Sequence, residues 1–186
     1  MYEITDLKPG RAIQIDNEPY LVLQSQFGRK SQSKANMQCK LKNLMTGAVV
    51  ARNFQGSEKI EPADVGYKRV QFLYKSGDKY TFMDLESYDQ FELFTEVVGD
   101  AGGYLVEGNE LDALMFAEQP IGIQLKSTVD LKVLETIPGV KGDTATGGNK
   151  PAKLESGITV NVPLFVNEGD TVKVNTETGL YMTRVS

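Results

Sequence analysis

The chain has 186 residues, 40% of them hydrophobic, with a formal net charge of −5, one cysteine and no histidine. That length and apolar fraction suit one or two ordinary globular domains. The missing histidine excludes Ser-His-Asp and Cys-His nucleophile systems, and a lone cysteine excludes both an internal disulfide and the usual structural zinc sites. The start, Met1-Tyr2-Glu3-Ile4-Thr5-Asp6, has no basic region leading into an apolar core, which predicts no signal peptide. No apolar run approaches the length of a membrane span. Cys39 falls inside a strand pattern and reads as a small buried hydrophobe in a reducing cytosol. The expectation is a cytoplasmic protein with no metal, no cofactor and no membrane partner; many side-chain chemistries are closed, although an enzyme can still run on carboxylates alone.

Residues 1–64 open with a turn at Leu7-Lys8-Pro9-Gly10, then Ala12-Ile13-Gln14-Ile15 and a second turn at Asp16-Asn17-Glu18-Pro19. Tyr20 to Phe27 and Met37 to Leu44 then flank Gly28-Arg29-Lys30-Ser31-Gln32-Ser33-Lys34. Met37, Cys39 and Leu41 alternate with polar residues, the period of a strand with one buried face. The two runs predict a hairpin whose connection is longer than a tight turn needs, and over-long loops on rigid arms tend to carry function. Thr46-Gly47 turns into Ala48 to Phe54, which makes four or five short strands in all, the content of a small closed barrel. Glu61-Pro62-Ala63-Asp64 reads as a boundary linker.

Charge around the hairpin is one-sided. Between Glu18 and Glu58 there is no acidic residue, while the span holds Arg29, Lys30, Lys34, Lys40, Lys42 and Arg52. Lys40 and Lys42 lie two apart and share the solvent face of a strand. A short lysine-rich loop alone reads as a solvated surface; the length of the acid-free span favours a polyanion, whose counterions are released when its phosphates are neutralised.

Residues 65–128 read as a second unit. Val70, Phe72 and Tyr74 alternate, Lys75-Ser76-Gly77-Asp78 turns, and Tyr80–Met83 and Phe91–Leu93 follow. Thr95 to Leu105 has room for a short helix weakened by Gly99, Gly102 and Gly103, and Leu111–Phe116, a turn at Glu118-Gln119-Pro120, and Ile121–Leu125 predict a hairpin. Residues 129–186 form a third unit, with alternation at Val129, Leu131 and Val133, at Ile158, Val160 and Val162, and at Val172 and Val174. A long glycine-rich loop runs from Gly139 to Lys150. A five-strand oligonucleotide-binding (OB) barrel fits either of these two units. The units carry charges of +2, −6 and −1. The middle one should be repelled by phosphate, so contacts to RNA are expected from the two ends.

Two stretches resemble the bacterial translation elongation factor P family. Lys150-Pro151-Ala152-Lys153-Leu154-Glu155-Ser156-Gly157 through Val166 looks like its C-terminal signature, and Pro138-Gly139-Val140-Lys141-Gly142-Asp143-Thr144 fits just before it. Lys40-Leu41-Lys42-Asn43-Leu44-Met45-Thr46-Gly47 fits after the hairpin tip, and the likeness covers the whole chain. The resemblance implies an all-β fold of three small barrels in an L shape: an SH3-like, KOW-like N-terminal domain over 1–64, then OB-fold domains over 65–128 and 129–186. It implies a monomer that binds both ribosomal subunits between the P and E sites, contacts P-site peptidyl-tRNA, and stimulates peptide-bond formation at polyproline stalls. The tip residues Arg29, Lys30, Ser31, Gln32, Ser33 and Lys34 would meet the CCA end, and Lys40 and Lys42 the RNA backbone. Gly142, Asp143, Thr144 and Gly147 would approach the E-site codon of the mRNA. Tyr181 and Arg184 would face the tRNA, although Tyr181 reads equally well as a half-buried strand aromatic.

The tip departs from the family pattern. Counting back from Lys40 without gaps places Gln32 where relatives carry a modified lysine or arginine, and Lys30-Ser31 replaces their Pro-Gly. A glutamine amide is neutral and accepts neither lysylation nor rhamnosylation. The tip therefore works unmodified, or its register shifts to present Lys30 or Lys34. Rival readings are an elongation factor P-like paralogue with a different range of stalling motifs, a general OB-fold RNA-binding protein, and an enzyme using Asp84 and Glu86 as paired carboxylates.

Overall fold

The computed structural model describes residues 1–28, 35–139 and 148–186. A single-turn 3-10 helix, Ile4–Asp6, precedes β1 (Ala12–Ile15), β2 (Glu18–Gly28), β3 (Asn36–Asn43), β4 (Val49–Gln55) and β5 (Glu61–Pro62). These five strands form one antiparallel sheet in the order β4-β3-β2-β1-β5. β1 and β2 are joined through Asp16 and Asn17, both at positive φ (52° and 65°), the left-handed pair a two-residue hairpin needs and Asn and Asp tolerate. Glu18 and Pro19 therefore belong to β2 rather than to the turn. β3 alternates without a fault: Met37, Cys39, Leu41 and Asn43 are buried, while Gln38, Lys40 and Lys42 are exposed. With Ile4, Leu7, Ile13, Val22, Phe54 and Ile60, the apolar members of that row form one core. Glu61 and Pro62, expected in a linker, instead pair with Gln14 and Ile13 and close the edge of the sheet.

The next strands are β6 (Val65–Ser76), β7 (Lys79–Asp84), β8 (Gln90–Phe94), β9 (Glu110–Phe116) and β10 (Gln119–Gln124), in the order β10-β9-β6-β7-β8. The expected short helix between Thr95 and Leu105 is one turn of α-helix, Thr95–Val98, followed by a 3-10 helix, Gly99–Tyr104. Phe72 packs against Tyr80 and Phe82 with ring centroids 5.8 and 5.5 Å apart. Ala117 and Glu118, at φ 47° and 65°, form the turn between β9 and β10, so Gln119-Pro120 begins a strand.

The last sheet holds β11 (Thr128–Thr136), β12 (Asn149–Leu154), β13 (Thr159–Pro163), β14 (Thr171–Asn175) and β15 (Tyr181–Arg184), in the order β13-β12-β11-β14-β15. Its core is Leu131, Val133, Ala152, Leu154, Val160, Val162, Val166, Val172 and Val174. The alternating valines and leucines of the sequence supply most of it, as a one-sided sheet requires. The fold is all-β, in three antiparallel sheets with little helix. By compactness the chain falls into two units, residues 1–68 with 113–122, and residues 69–112 with 123–186.

Candidate RNA-facing surfaces

The arms of the β2–β3 hairpin stay paired as far as Gly28 opposite Asn36. A Cβ on Gly28 would meet Asn36 Oδ1, the end of a flexible side chain that would have to turn aside. On the other side of the hairpin, the Gly56 amide donates to the carbonyl of Ala35 at 2.7 Å. Both roots of the tip are thus fixed by backbone pairing. The tip residues Arg29, Lys30, Ser31, Gln32, Ser33 and Lys34 lie outside the described residues.

Lys40 and Lys42 project from the exposed face of β3. Directly opposed strand residues share a face, so Gln26, Gln38 and Asn53 form one row across three strands, and Gln24, Lys40 and Ala51 the next. Gln24, Gln26, Gln38, Lys40 and Ala51 of these rows line an open hollow of about 750 Å³, together with Pro9 and Val49. Among the described residues no carboxylate comes within ion-pair distance of either lysine. Arg52, counted with them in the sequence, is occupied: it pairs with Glu58 at 3.0 Å and lies 4.9 Å over the Phe54 ring. Glu18, which bounds the acid-free span, is also engaged, accepting from Asn43 Nδ2 at 2.6 Å and from the Tyr20 hydroxyl at 3.2 Å. Cys39 lies beneath this face, and burial pushes its thiol pKa up, which disfavours a reactive thiolate.

In the C-terminal sheet, Gly142, Asp143, Thr144 and Gly147 lie outside the described residues. Their flanks are anchored. Gly139 presses against the Leu164 carbonyl, which a Cβ would meet at 2.7 Å, and Lys150, only 2% exposed, donates from Nζ to the Ile137 carbonyl at 2.7 Å. Sequence reasoning took Lys150 as part of a signature and missed this anchoring; alternation with Ala152 and Leu154 was the available signal that it points inward. Tyr181 is half-buried against the core, as its alternative reading anticipated. Arg184 is exposed, reaching Asp170 at 3.5 Å and lying 5.4 Å from the centre of the Phe165 ring.

Asp84 and Glu86 are not a reactive pair. Asp84 is buried, and its Oδ1 accepts from the Glu86 and Ser87 amides at 2.8 and 3.2 Å, which caps a turn, while Glu86 points to solvent. Among the described residues no group of three or more metal-ligating side chains is assembled, and no helix is long and apolar enough to cross a membrane.

Three small antiparallel sheets in one chain, one with Lys40 and Lys42 on an exposed strand face, fit a modular RNA-binding protein. The matches to known proteins agree. Residues 3–60 match the elongation factor P KOW-like domain, 65–123 the elongation factor P OB domain and 129–184 the elongation factor P C-terminal domain. The chain is 44% identical to elongation factor P of Dictyoglomus thermophilum over 184 residues, covering 99% of this chain and 100% of the relative. It is 44% identical to elongation factor P of Carboxydothermus hydrogenoformans over 185 residues, covering 100% of both. Among solved structures, it superposes on translation initiation factor 5A from Methanococcus jannaschii with a TM-score of 0.55 at 20% identity, covering 63% of this chain and 87% of that one. An initiation factor 5A family protein from Naegleria fowleri gives 0.52 at 14% identity, covering 67% and 94%. These two likenesses concern the fold.

The chain belongs to the elongation factor P family. It is a ribosome-associated translation factor and not an enzyme.

Proposed function

We propose that the protein works in the cytoplasm as a monomer that enters the ribosome between the P and E sites and speeds peptide-bond formation on stalled consecutive prolines. Its working parts are an N-terminal domain over 1–64, a central OB domain over 65–128 and a C-terminal OB domain over 129–186. The observation that carries the proposal is the hairpin, whose arms are paired up to Gly28 and Asn36 and whose exposed face carries Lys40 and Lys42 with no carboxylate within ion-pair distance among the described residues.

A prolyl-tRNA reacts slowly because its ring restricts the geometry of attack. A protein without catalytic groups can still help by holding the tRNA and its CCA end in the reactive arrangement, and such positioning contributes on the order of several kcal/mol. Arg29, Lys30 and Lys34 bind phosphates, which positions the RNA without reading its sequence. Gln32, between Ser31 and Ser33, offers both a donor and an acceptor to a 2′-hydroxyl or a backbone oxygen. Lys40 and Lys42 hold the RNA backbone behind the tip. At the other end, Gly142, Asp143, Thr144 and Gly147 approach the E-site codon, and Tyr181 and Arg184 face the tRNA. Because Gln32 cannot be lysylated or rhamnosylated, the tip acts unmodified.

The test is reconstituted translation of a triple-proline message with unmodified recombinant protein. Rescue is expected from the wild type and not from a variant whose residues 28–34 are replaced by a glycine-serine linker. Equal rescue by both rejects the mechanism, and an adduct mapped by mass spectrometry to Lys30 or Lys34 rejects the unmodified tip. The unusual Gln32 favours one second reading, a paralogue serving a different set of stalling motifs, which ribosome profiling of a deletion strain separates from the first.

A further inference from the structure

Phe165 is a large exposed side chain in a connecting turn of the C-terminal sheet. It sits in the turn Pro163–Val166, closed by the Val166 amide on the Pro163 carbonyl at 3.1 Å and pinned from below by Val166, which has no exposure. Its own carbonyl accepts from Asn167 Nδ2 at 3.2 Å. Phe165 is 57% exposed. Arg184, whose backbone pairs opposite the buried Val172, brings its guanidinium carbon to 5.4 Å from the ring centre, within cation–π distance. Asp170 lies between the two: its Oδ2 accepts from the Asn167 amide at 2.9 Å and, at the long end of hydrogen-bond range, from Arg184 Nη1 at 3.5 Å. One carboxylate therefore ties the aromatic turn to the arginine strand.

We infer that Phe165 and Arg184 form a preorganised stacking platform for one unpaired nucleobase of RNA. The inference rests on the reading above that this end of the protein faces RNA, and it adds Phe165 as a contact and Asp170 as a positioning residue. A flat exposed ring beside a guanidinium suits a base, which offers a π-face for stacking whatever its identity. Arg184 also leaves donors for a phosphate or a base edge, since its planar fork carries five and Asp170 takes one. After the buried Val166 the chain runs through Asn167, Glu168, Gly169 and Asp170, so on that side the ring is bordered by polar residues. With the two side chains already in contact, stacking orders less than it would with two separate ones.

The chain contains no tryptophan, so Phe165→Trp installs a single indole. On binding to ribosomes carrying peptidyl-tRNA stalled at prolines, that indole should be quenched by the stacked base, with affinity close to wild type. Phe165→Leu keeps the apolar bulk but loses the π-face and should bind about 5- to 100-fold more weakly. Asp170→Asn should reduce the quenching of the indole when combined with Phe165→Trp. The two Phe165 single variants should melt at the wild-type temperature, since that side chain is at the surface. An indole that stays bright in the bound complex, or a Phe165→Leu protein that binds like wild type, overturns the platform alone. Wild-type protein that fails to cosediment with these ribosomes removes the underlying reading and the platform with it.

Discussion

Lys150 donates from Nζ to the carbonyl of Ile137 at 2.7 Å while its side chain is almost wholly enclosed. A buried ammonium is costly unless it is hydrogen-bonded, and this bond ties β12 to the segment that leaves β11 toward the glycine-rich loop. Lys150→Met keeps most of the volume but leaves the Ile137 carbonyl without this donor. It should cost about 1–3 kcal/mol, read as a lower urea midpoint for the transition that includes the C-terminal sheet. An unchanged midpoint would show that the bond is not needed to hold the strands.

Gly102 lies under the hydroxyl of Tyr80, and a Cβ there would overlap that oxygen and meet Cζ at 2.7 Å. Tyr80 is itself buried and packed on Phe72, so the ring has little room to withdraw. Gly102→Ala should destabilise by about 1–3 kcal/mol, the range for overpacking. Tyr80→Phe in the same background should recover part of the loss, because it removes the overlapping oxygen. Thermal melts of the single and double variants check both statements.

Lys40 and Lys42 touch no carboxylate among the described residues, so their replacement should spare the fold. Lys40→Gln with Lys42→Gln should leave the melting temperature unchanged and weaken ribosome binding. If each lysine neutralises one phosphate, the slope of log affinity against log salt should fall by about 0.7–0.9 per lysine. An unaltered slope would place these lysines away from RNA.

Cys39 gives a pH dependence with a definite sign. Burial raises its thiol pKa in the folded state, so on alkalinisation the unfolded chain loses this proton first. Stability should therefore hold below the ordinary thiol pKa and fall as pH rises through it toward the raised folded value. Cys39→Ala should show a shallower alkaline decline than wild type by urea unfolding. At neutral pH the native thiol should react slowly with a disulfide reagent and quickly once the protein is unfolded.

Local pattern carried far in this chain. The period of two at Met37, Cys39 and Leu41 foretold the buried row of β3, and with it the outward Lys40 and Lys42. The same period at Leu131 and Val133, Val160 and Val162, and Val172 and Val174 foretold the third core. Alternation is legible because each strand residue points to the face opposite its neighbour, whatever lies across the sheet. Turn positions were less so: Pro19, Pro120 and Pro62 all suggested breaks and all lie in strands. Strand ends and sheet edges tolerate proline, and where an edge falls depends on pairing.

The sequence by itself determined the strand faces, the acid-free surface of the hairpin and the signature of the family. Only the tertiary structure decided that Lys150 is buried against Ile137, that Arg184 lies on Phe165 rather than free in solvent, and that Asp84 caps a turn instead of serving a carboxylate pair. The physical reason is range and direction. A strand's alternation is written in adjacent residues, whereas the partner of a long polar side chain is chosen by rotamer and by which distant backbone the sheet brings within hydrogen-bond reach.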